Sequence, residues 1–363
     1  MNRFLRTLLP VSCGVLLIAP PSGGTGGVGP HGALPRPLGY VTPRAASAPV
    51  IDGRLDDSAW SMAPWTSDFV DIEGDAKPRP VFRTRAKMLW DDRCFYIGAE
   101  LEEPHVWATL RKRDTVIFYD NDFELFIDPN GDNHEYYEFE MNALNTGWDL
   151  FLPIPYKDGG KAEDGWDIEG LRTAVHVRGR LNDPAEVDSG WSVEIAIPWR
   201  ALAPYARTDA PPREGDQWRV NFSRVEWDVQ TVDGGYRKIP GRPEHNWVWS
   251  PQGVIDMHRP ERWGYVQFAR APGTPFVEDE SWPIREALME VSYAQVRFRA
   301  THQRWAETPE ELALPASARG FPLRLERAGT GYQASIDRRS AGGALERFCV
   351  NHESRLWKES VQP

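Results

Sequence analysis

The acids, amides and aromatic rings between residues 118 and 142 are the side chains whose types and spacing best suit ligand chemistry. In DFELFIDPNGDNHEYYEFEMN, residues 122–142, Phe123, Leu125 and Ile127 alternate with Asp122, Glu124, Phe126 and Asp128. Further on, Tyr137, Phe139 and Met141 alternate with Tyr136, Glu138, Glu140 and Asn142. Side chains on a strand alternate sides, so the pattern predicts two strands joined by a turn, one face greasy and the other acidic and aromatic. Carboxylates of both strands then point the same way. Like charges side by side repel, so such a face calls for sugar hydroxyls, a calcium ion or neighbouring arginines, or for full solvation. Arg111 and Arg113, just upstream, are the arginines expected to neutralise it.

Several chemistries fit these residues. A pyranose presents apolar C–H faces and a rim of hydroxyls, so it is gripped by flat rings flanked by planar polar groups. Tyr119, Glu124, Asn142, Asn246 and Trp249 meet that description; Trp247 and Trp249 share one side of a short strand around Val248, and the alternative is that both are core. Asp128, Asn130, Asp132 and Glu135 have the D-x-N-x-D spacing that lets alternate oxygens converge on a calcium ion, although the same residues suit a hairpin turn. Glu124 with Glu138 or Glu140 would form a retaining glycosidase pair if the carboxyl groups stood about 5 Å apart with one pKa raised. His258, in MHRPERW, reads as a hydrogen-bonded structural residue.

The elements that must position these groups are mostly short strands. Period-two alternation predicts a hairpin over 81–90 and 94–101, with Phe82, Ala86, Met88, Phe95, Ile97 and Leu101 facing inward. Further strands are expected at 148–152, 171–177, 191–197, 218–225 and 263–268. Gly, Pro and Asp separate them and no alternating helices intervene, which predicts an all-β, antiparallel, jelly-roll-like β-sandwich. Trp60 and Trp65 are expected to cap one end of its core. From residue 271 the composition shifts. Ile284, Leu288, Val291, Ala294, Phe298 and Trp305 recur at helical spacing and predict one amphipathic helix over 283–305. A short helix capped by Thr308 with Glu311, then strands around Gly329 and Gly331, complete a small α+β extension over 271–363 that could dock on the sandwich or on a protein partner.

Composition narrows the partners and the address. A net charge of −11 argues against nucleic acid, because phosphate binding wants a basic footprint. Arg3 and Arg6 precede an apolar run at 8–18 that is too short to span a bilayer, so residues 1–22 read as a signal peptide and the protein as secreted or periplasmic. Cys13 lacks the surroundings of a lipoprotein box. Residues 23–47, rich in Gly, Pro and Ser, are expected to be a disordered linker. Outside the signal, only Cys94 and Cys349 remain, as a disulfide or as two buried thiols.

Five phrases, taken in order, carry a resemblance: IDGRLDDSAW at 51–60, DNDFELFIDPNGDNHEYYEFEMNALNTGWD at 120–149, DSGWSVEIAIPW at 188–199, WRVNFSRVEW at 218–227 and WVWSPQGVIDMHRPERWGYVQF at 247–268. Over 48–270 the chain resembles the carbohydrate-binding module family 9-like domains of secreted bacterial proteins. The resemblance implies a β-sandwich of the wider sugar- or haem-binding group, a non-catalytic sugar-binding role and, in some members, structural calcium. It also implies a slot of two aromatic rings aided by Glu, Arg and Asn. Carried over, the Glu falls on Glu124, the first ring on Phe118 or Tyr119, and the N-x-x-W pair on Asn246 and Trp249. Two positions depart from the pattern: no Trp precedes Glu124, and Glu140 stands where the Arg is expected. Haem-binding relatives use Met and a Lys or His as axial ligands, and Met141 and Met257 are available, although Met141 falls among the inward residues, where core filler is its expected role.

Overall fold

The alternation in the 122–142 segment folds as its pattern dictates, and the first sheet is built around it. The structure, a computed structural model, describes residues 36–361 apart from 207 and 341. The strands in chain order are β1 (Gly39–Pro43), β2 (Val70–Asp71), β3 (Thr84–Trp90), β4 (Cys94–Leu101), β5 (Asp122–Asp128), β6 (Tyr136–Asn142), β7 (Gly147–Leu152), β8 (Arg172–Arg178) and β9 (Gly190–Pro198). After the short helix α1 (Trp199–Ala206) come β10 (Gln217–Glu226), β11 (Val229–Val232), β12 (Gly235–Lys238), β13 (His245–Val248) and β14 (Gly264–Ala269). One sheet runs β1-β14-β10-β5-β6-β7, with β13 and β2 added beside the far end of β10; the other runs β3-β4-β9-β8. All pairings are antiparallel except β1 with β14. The architecture is the expected β-sandwich.

The core lies between the sheets. Phe123, Leu125, Ile127, Tyr137, Phe139 and Met141 from the first sheet pack in one cluster with Ala86, Met88, Phe95, Ile97, Leu101, Val193 and Ile195 from the second. Each fully buried side chain of this kind contributes about 1.5–3 kcal/mol of transfer free energy. Trp60 is fully buried in a neighbouring cluster against Leu89 and Tyr96, while Trp65 stays half-buried under the Arg85 and Lys87 cations.

Two expectations change at the start of the chain. Residues 39–43 fell within the expected linker, yet they form β1: Gly39 lies opposite Tyr265, and the Tyr40 hydroxyl donates to the Pro64 carbonyl at 2.6 Å. Order there comes from the backbone of β14, a long-range partner. The signal-peptide reading falls on residues outside those described. Cys94 and Cys349 are both buried, free thiols.

Beyond β14, α2 (Trp282–His302) packs on a further antiparallel sheet made of β15 (Leu323–Ala328), β16 (Gly331–Arg339), β17 (Leu345–Asn351) and β18 (Leu356–Ser360), with the short helix α3 (Ala316–Arg319) between α2 and β15. Ile284, Leu288, Val291 and Ala294 meet Tyr332, Ile336, Phe348 and Val350 in a separate core. Thr308 and Glu311 form the capping box, around a 3-10 turn. The extension docks on the sandwich: Arg262 pairs with Glu286 of α2 at 2.7 Å, and the β17–β18 turn clasps the β5–β6 turn. In that clasp Leu356 N donates to Asp132 O at 3.0 Å and Asn133 Nδ2 donates to Ser354 O at 2.9 Å.

Candidate functional site

The acidic side of the β5–β6 hairpin forms the outer face of the first sheet. Cross-strand registers place Ser223 opposite Glu124, Glu124 opposite Glu140 and Glu140 opposite Trp148, so these side chains make one row across β10, β5, β6 and β7. Phe126 opposite Glu138 makes the next row, and Asp122 opposite Asn142 the one before. Oxygens of Asp122, Glu124 and Glu140 all lie within 4.8 Å of one another. With Glu138 they are only 0%, 6%, 2% and 4% exposed for Asp122, Glu124, Glu140 and Glu138. A solvated face is therefore excluded, and so is neutralisation by arginine. Among the described residues none of the four is in an ion pair, and Arg113 instead joins Asp114, Asp149 and Asp167.

The partners of these acids are few. Asp122 Oδ1 accepts from Val225 N at 3.1 Å and Glu140 Oε2 from Phe118 N at 3.2 Å. Asp122 Oδ2 and Glu138 Oε2 have no hydrogen-bond partner among the described residues. Burial pushes the Glu124 carboxyl up to about 7. Burial and then the charge of Glu124 hold Asp122, Glu138 and Glu140 well above the usual carboxylate range. Buried like charges cannot all ionise without a counter-charge, so protons are shared among them.

Aromatic rings border this face. A 3-10 turn, Ile117–Tyr119, leads into β5 and leaves the Tyr119 ring 50% exposed. Trp227, just past β10, donates from Nε1 to the Phe118 carbonyl at 2.8 Å. The β11–β12 hairpin turns at Asp233 and Gly234, both at positive φ, and brings Lys238 over the rings. Its ammonium sits 3.4 Å from the Trp227 centroid, 5.6 Å from Tyr119 and 6.0 Å from Trp107. Burial lowers the Lys238 pKa, opposed by Asp120, Glu244 and Asp122. Sequence reasoning missed Trp227 and Lys238; the Asp233-Gly234 pair between Val232 and Gly235 was the available signal, since Asp-Gly is a preferred two-residue hairpin turn.

The remaining expected site residues are placed differently. Trp249 is 1% exposed, edge-on to Tyr40 at 6.3 Å and beside Phe222 at 6.0 Å, so it fills the core and forms no slot with Tyr119. Val248, opposite Ser223, takes the outer position, which turns Trp247 and Trp249 inward. Gly264 makes room for the ring: a Cβ there would stand 2.4 Å from it. Asn142 is wholly buried; its Nδ2 donates to Leu110 O and Asp120 Oδ2, and its Oδ1 accepts from Leu144 N and Thr146 N. It fixes the loops around β6 and has no capacity left for a ligand. Asn246 sits half-buried on β13 opposite Val225, with β10 between it and Asp122 on β5.

The D-x-N-x-D loop is used as a turn and a docking point. Asp128 accepts from Gly131 N and Asn133 N, Asn130 from Asp132 N, and Asp132 from His134 N and from Arg355 at 2.9 Å. Glu135 lies 3.8 Å from the same guanidinium. Arg355, from the far end of the chain, thus places a positive charge beside this loop. His258 is the structural residue expected, bonded at Nδ1 to the Tyr136 hydroxyl at 2.9 Å and pushed down to about 3 by burial. Met141 fills the inter-sheet core, and Met257 lies in the outer cluster with Phe126 and Trp263. Glu124 and Glu140 approach the spacing of a glycosidase pair, but at 6% and 2% exposure a glycosidic bond has no approach to them.

Comparison with known proteins follows the same stretch of chain. The model of the carbohydrate family 9 binding domain-like family matches residues 51–266. Exoglucanase XynX of Acetivibrio thermocellus is 26% identical over 154 residues, which are 42% of this chain and 12% of that protein. Endo-1,4-beta-xylanase A of Thermoanaerobacterium saccharolyticum is 25% identical over 156 residues, 43% of this chain and 11% of that protein. Endo-1,4-beta-xylanase C of Paenibacillus barcinonensis is 30% identical over 101 residues, 28% and 8% respectively. The match thus spans 12% or less of the length of these relatives. Among solved structures, a family 9 carbohydrate-binding module of Caldicellulosiruptor kristjanssonii with cellotriose shares 16% identity at a TM-score of 0.41, covering 67% of this chain and 98% of that one. The same module with glucose gives 16% and 0.43, covering 66% and 100%. With its model matched across more than half of the chain, the protein belongs to the carbohydrate family 9 binding domain-like family.

Proposed function

We propose that this is a secreted, non-catalytic carbohydrate-binding protein whose ligand stacks on Tyr119 at the rim of the acidic sheet face. The half-exposed Tyr119 ring beside that face carries the reading. A flat, partly wet ring is what the C–H face of a pyranose needs, and Trp227 with Lys238 continues the surface next to it. Asn246, across β10 from Asp122, and the Lys238 ammonium supply donors for sugar hydroxyls at the edge. The family supports a sugar ligand, and relatives named exoglucanase and endo-1,4-beta-xylanase make β-1,4-glucan and xylan the first polymers to test.

Secretion is part of the proposal and rests on the basic and apolar pattern of residues 1–22. No helix among the described residues is long and apolar enough to cross a membrane. Affinity electrophoresis through gels containing each polymer tests the reading. Retardation of the wild type that Tyr119→Ala reduces by about tenfold or more in affinity is the expected result. Migration unaffected by every plant, algal and microbial polysaccharide tried would overturn it.

A further inference from the structure

We infer that the cavity where the extension meets the sandwich is a second ligand site, and that it takes a sugar acid, a monosaccharide-sized molecule bearing one carboxylate. The cavity holds about 270 Å³ and lies at the β5–β6 turn, the opposite end of that hairpin from Tyr119. Arg219 of β10 and Tyr265 of β14 line it from the sandwich; Trp282 and Met289 of α2, Phe348 of β17 and Lys358 of β18 line it from the extension. Residues beyond 266, outside the family match, thus build most of its wall.

The side chain that points to a ligand is Arg219. It is 7% exposed, and its Nη1 has no hydrogen-bond partner among the described residues. Its Nε and Nη2 donate to the backbone carbonyls of Pro260 and Glu261, and its guanidinium carbon lies 3.9 Å from the Tyr265 ring centroid, so no carboxylate pairs with it among the described residues. Asp128, opposite on β5, is pushed up to about 7 by burial and accepts from Gly131 N and Asn133 N, so it offsets the guanidinium only in part. A buried cation in this state is costly, and a bound carboxylate relieves it.

The rest of the cavity agrees. Trp282 Nε1 and Arg338 Nε are also unpartnered donors among the described residues. The acids along the wall have cations of their own: Asp279 lies 3.7 Å from Arg285 and Glu286 2.7 Å from Arg262, while Glu261, despite its burial, is held below the usual carboxylate range by Lys157 and Arg259. The bases outnumber their partners, since Arg338 and Lys358 share Glu346, each at 2.9 Å. So small a surplus suits one carboxylate better than a dianionic phosphate, and a planar guanidinium matches a planar carboxylate. The volume, several times the roughly 30 Å³ share of a water molecule, asks for more than a lone ion. Trp282, Phe348 and Met289 offer an apolar wall for the C–H face of a sugar ring.

Isothermal titration of sodium glucuronate into the full chain, with no polysaccharide present, tests the site, and its outcome is independent of gel retardation at Tyr119. Saturable one-site binding is expected, weakened about tenfold or more in Arg219→Gln. It should weaken about threefold in Lys358→Gln, at a half-exposed position, and stay unchanged in Arg304→Gln, whose partner Glu311 lies off the cavity wall. The methyl ester of glucuronate, the same ring without the charge, should bind about tenfold or more weakly than the acid. Should Arg219→Gln not fold, Lys358→Gln and the ester decide. Absence of saturable binding to the wild type, wild-type affinity in a folded Arg219→Gln or in Lys358→Gln, loss of binding in Arg304→Gln, an ester that binds as tightly as the acid, or displacement of glucuronate by an equal concentration of sulfate would each overturn the assignment.

Discussion

Two aromatic residues that look alike in the sequence have opposite roles in the molecule. Trp249 fills the core against Tyr40 and Phe222, so Trp249→Ala should destabilise the fold by about 3–5 kcal/mol in urea denaturation. Tyr119→Ala removes a half-exposed ring and should leave stability within about 0.5 kcal/mol while weakening glycan binding. The acids make a separate prediction. Glu124 and Asp128 are raised to about 7 in the folded chain, above their unfolded values, so the native state holds more protons than the unfolded one across the interval between. Stability from these groups is present at the acidic end and is lost as pH rises through that interval. The thermal midpoint should therefore fall as pH rises from about 4 to about 7. A midpoint that rises with pH across that interval would contradict the burial of these carboxyls.

At the scale of elements, the inward side of the hairpins was legible because a strand states its two faces in strict alternation. Phe123, Leu125, Ile127, Tyr137, Phe139 and Met141 all reach the core as their spacing requires. The outer side was not legible, because what closes over it comes from distant chain. Phe118 arrives from a 3-10 turn, Ile72 and Met257 from loops, and Lys238 from a hairpin more than a hundred residues after Glu124. Likewise β1 and β18 have little apolar pattern of their own and take their order from β14 and β17. The metal-like spacing at Asp128 to Glu135 was ambiguous for the same reason, since its cation, Arg355, lies at the other end of the sequence. The clasp between the two turns depends on Asn133, whose φ of 72° suits Asn and whose amide bonds to Ser354 O. Asn133→Ala should cost about 1–2 kcal/mol by urea denaturation. No change would mean that the extension is held by its backbone contacts alone.

At the scale of the whole molecule, the sandwich gives two surfaces to one hairpin: a core face that holds the sheets together and an outer face where buried acid meets exposed aromatic rings. The extension docks at the opposite end of that hairpin, on the β5–β6 turn, and so leaves Tyr119 free at its start. Family membership supports sugar as the ligand class, and the proposed contact is Tyr119, since Trp249 lies in the core. Affinity electrophoresis of wild type and Tyr119→Ala in gels of β-1,4-glucan and xylan addresses that claim most directly. The account predicts that the wild type is retarded by at least one polymer and that Tyr119→Ala runs free while melting like the wild type. A Tyr119→Ala protein retarded as strongly as the wild type would contradict it.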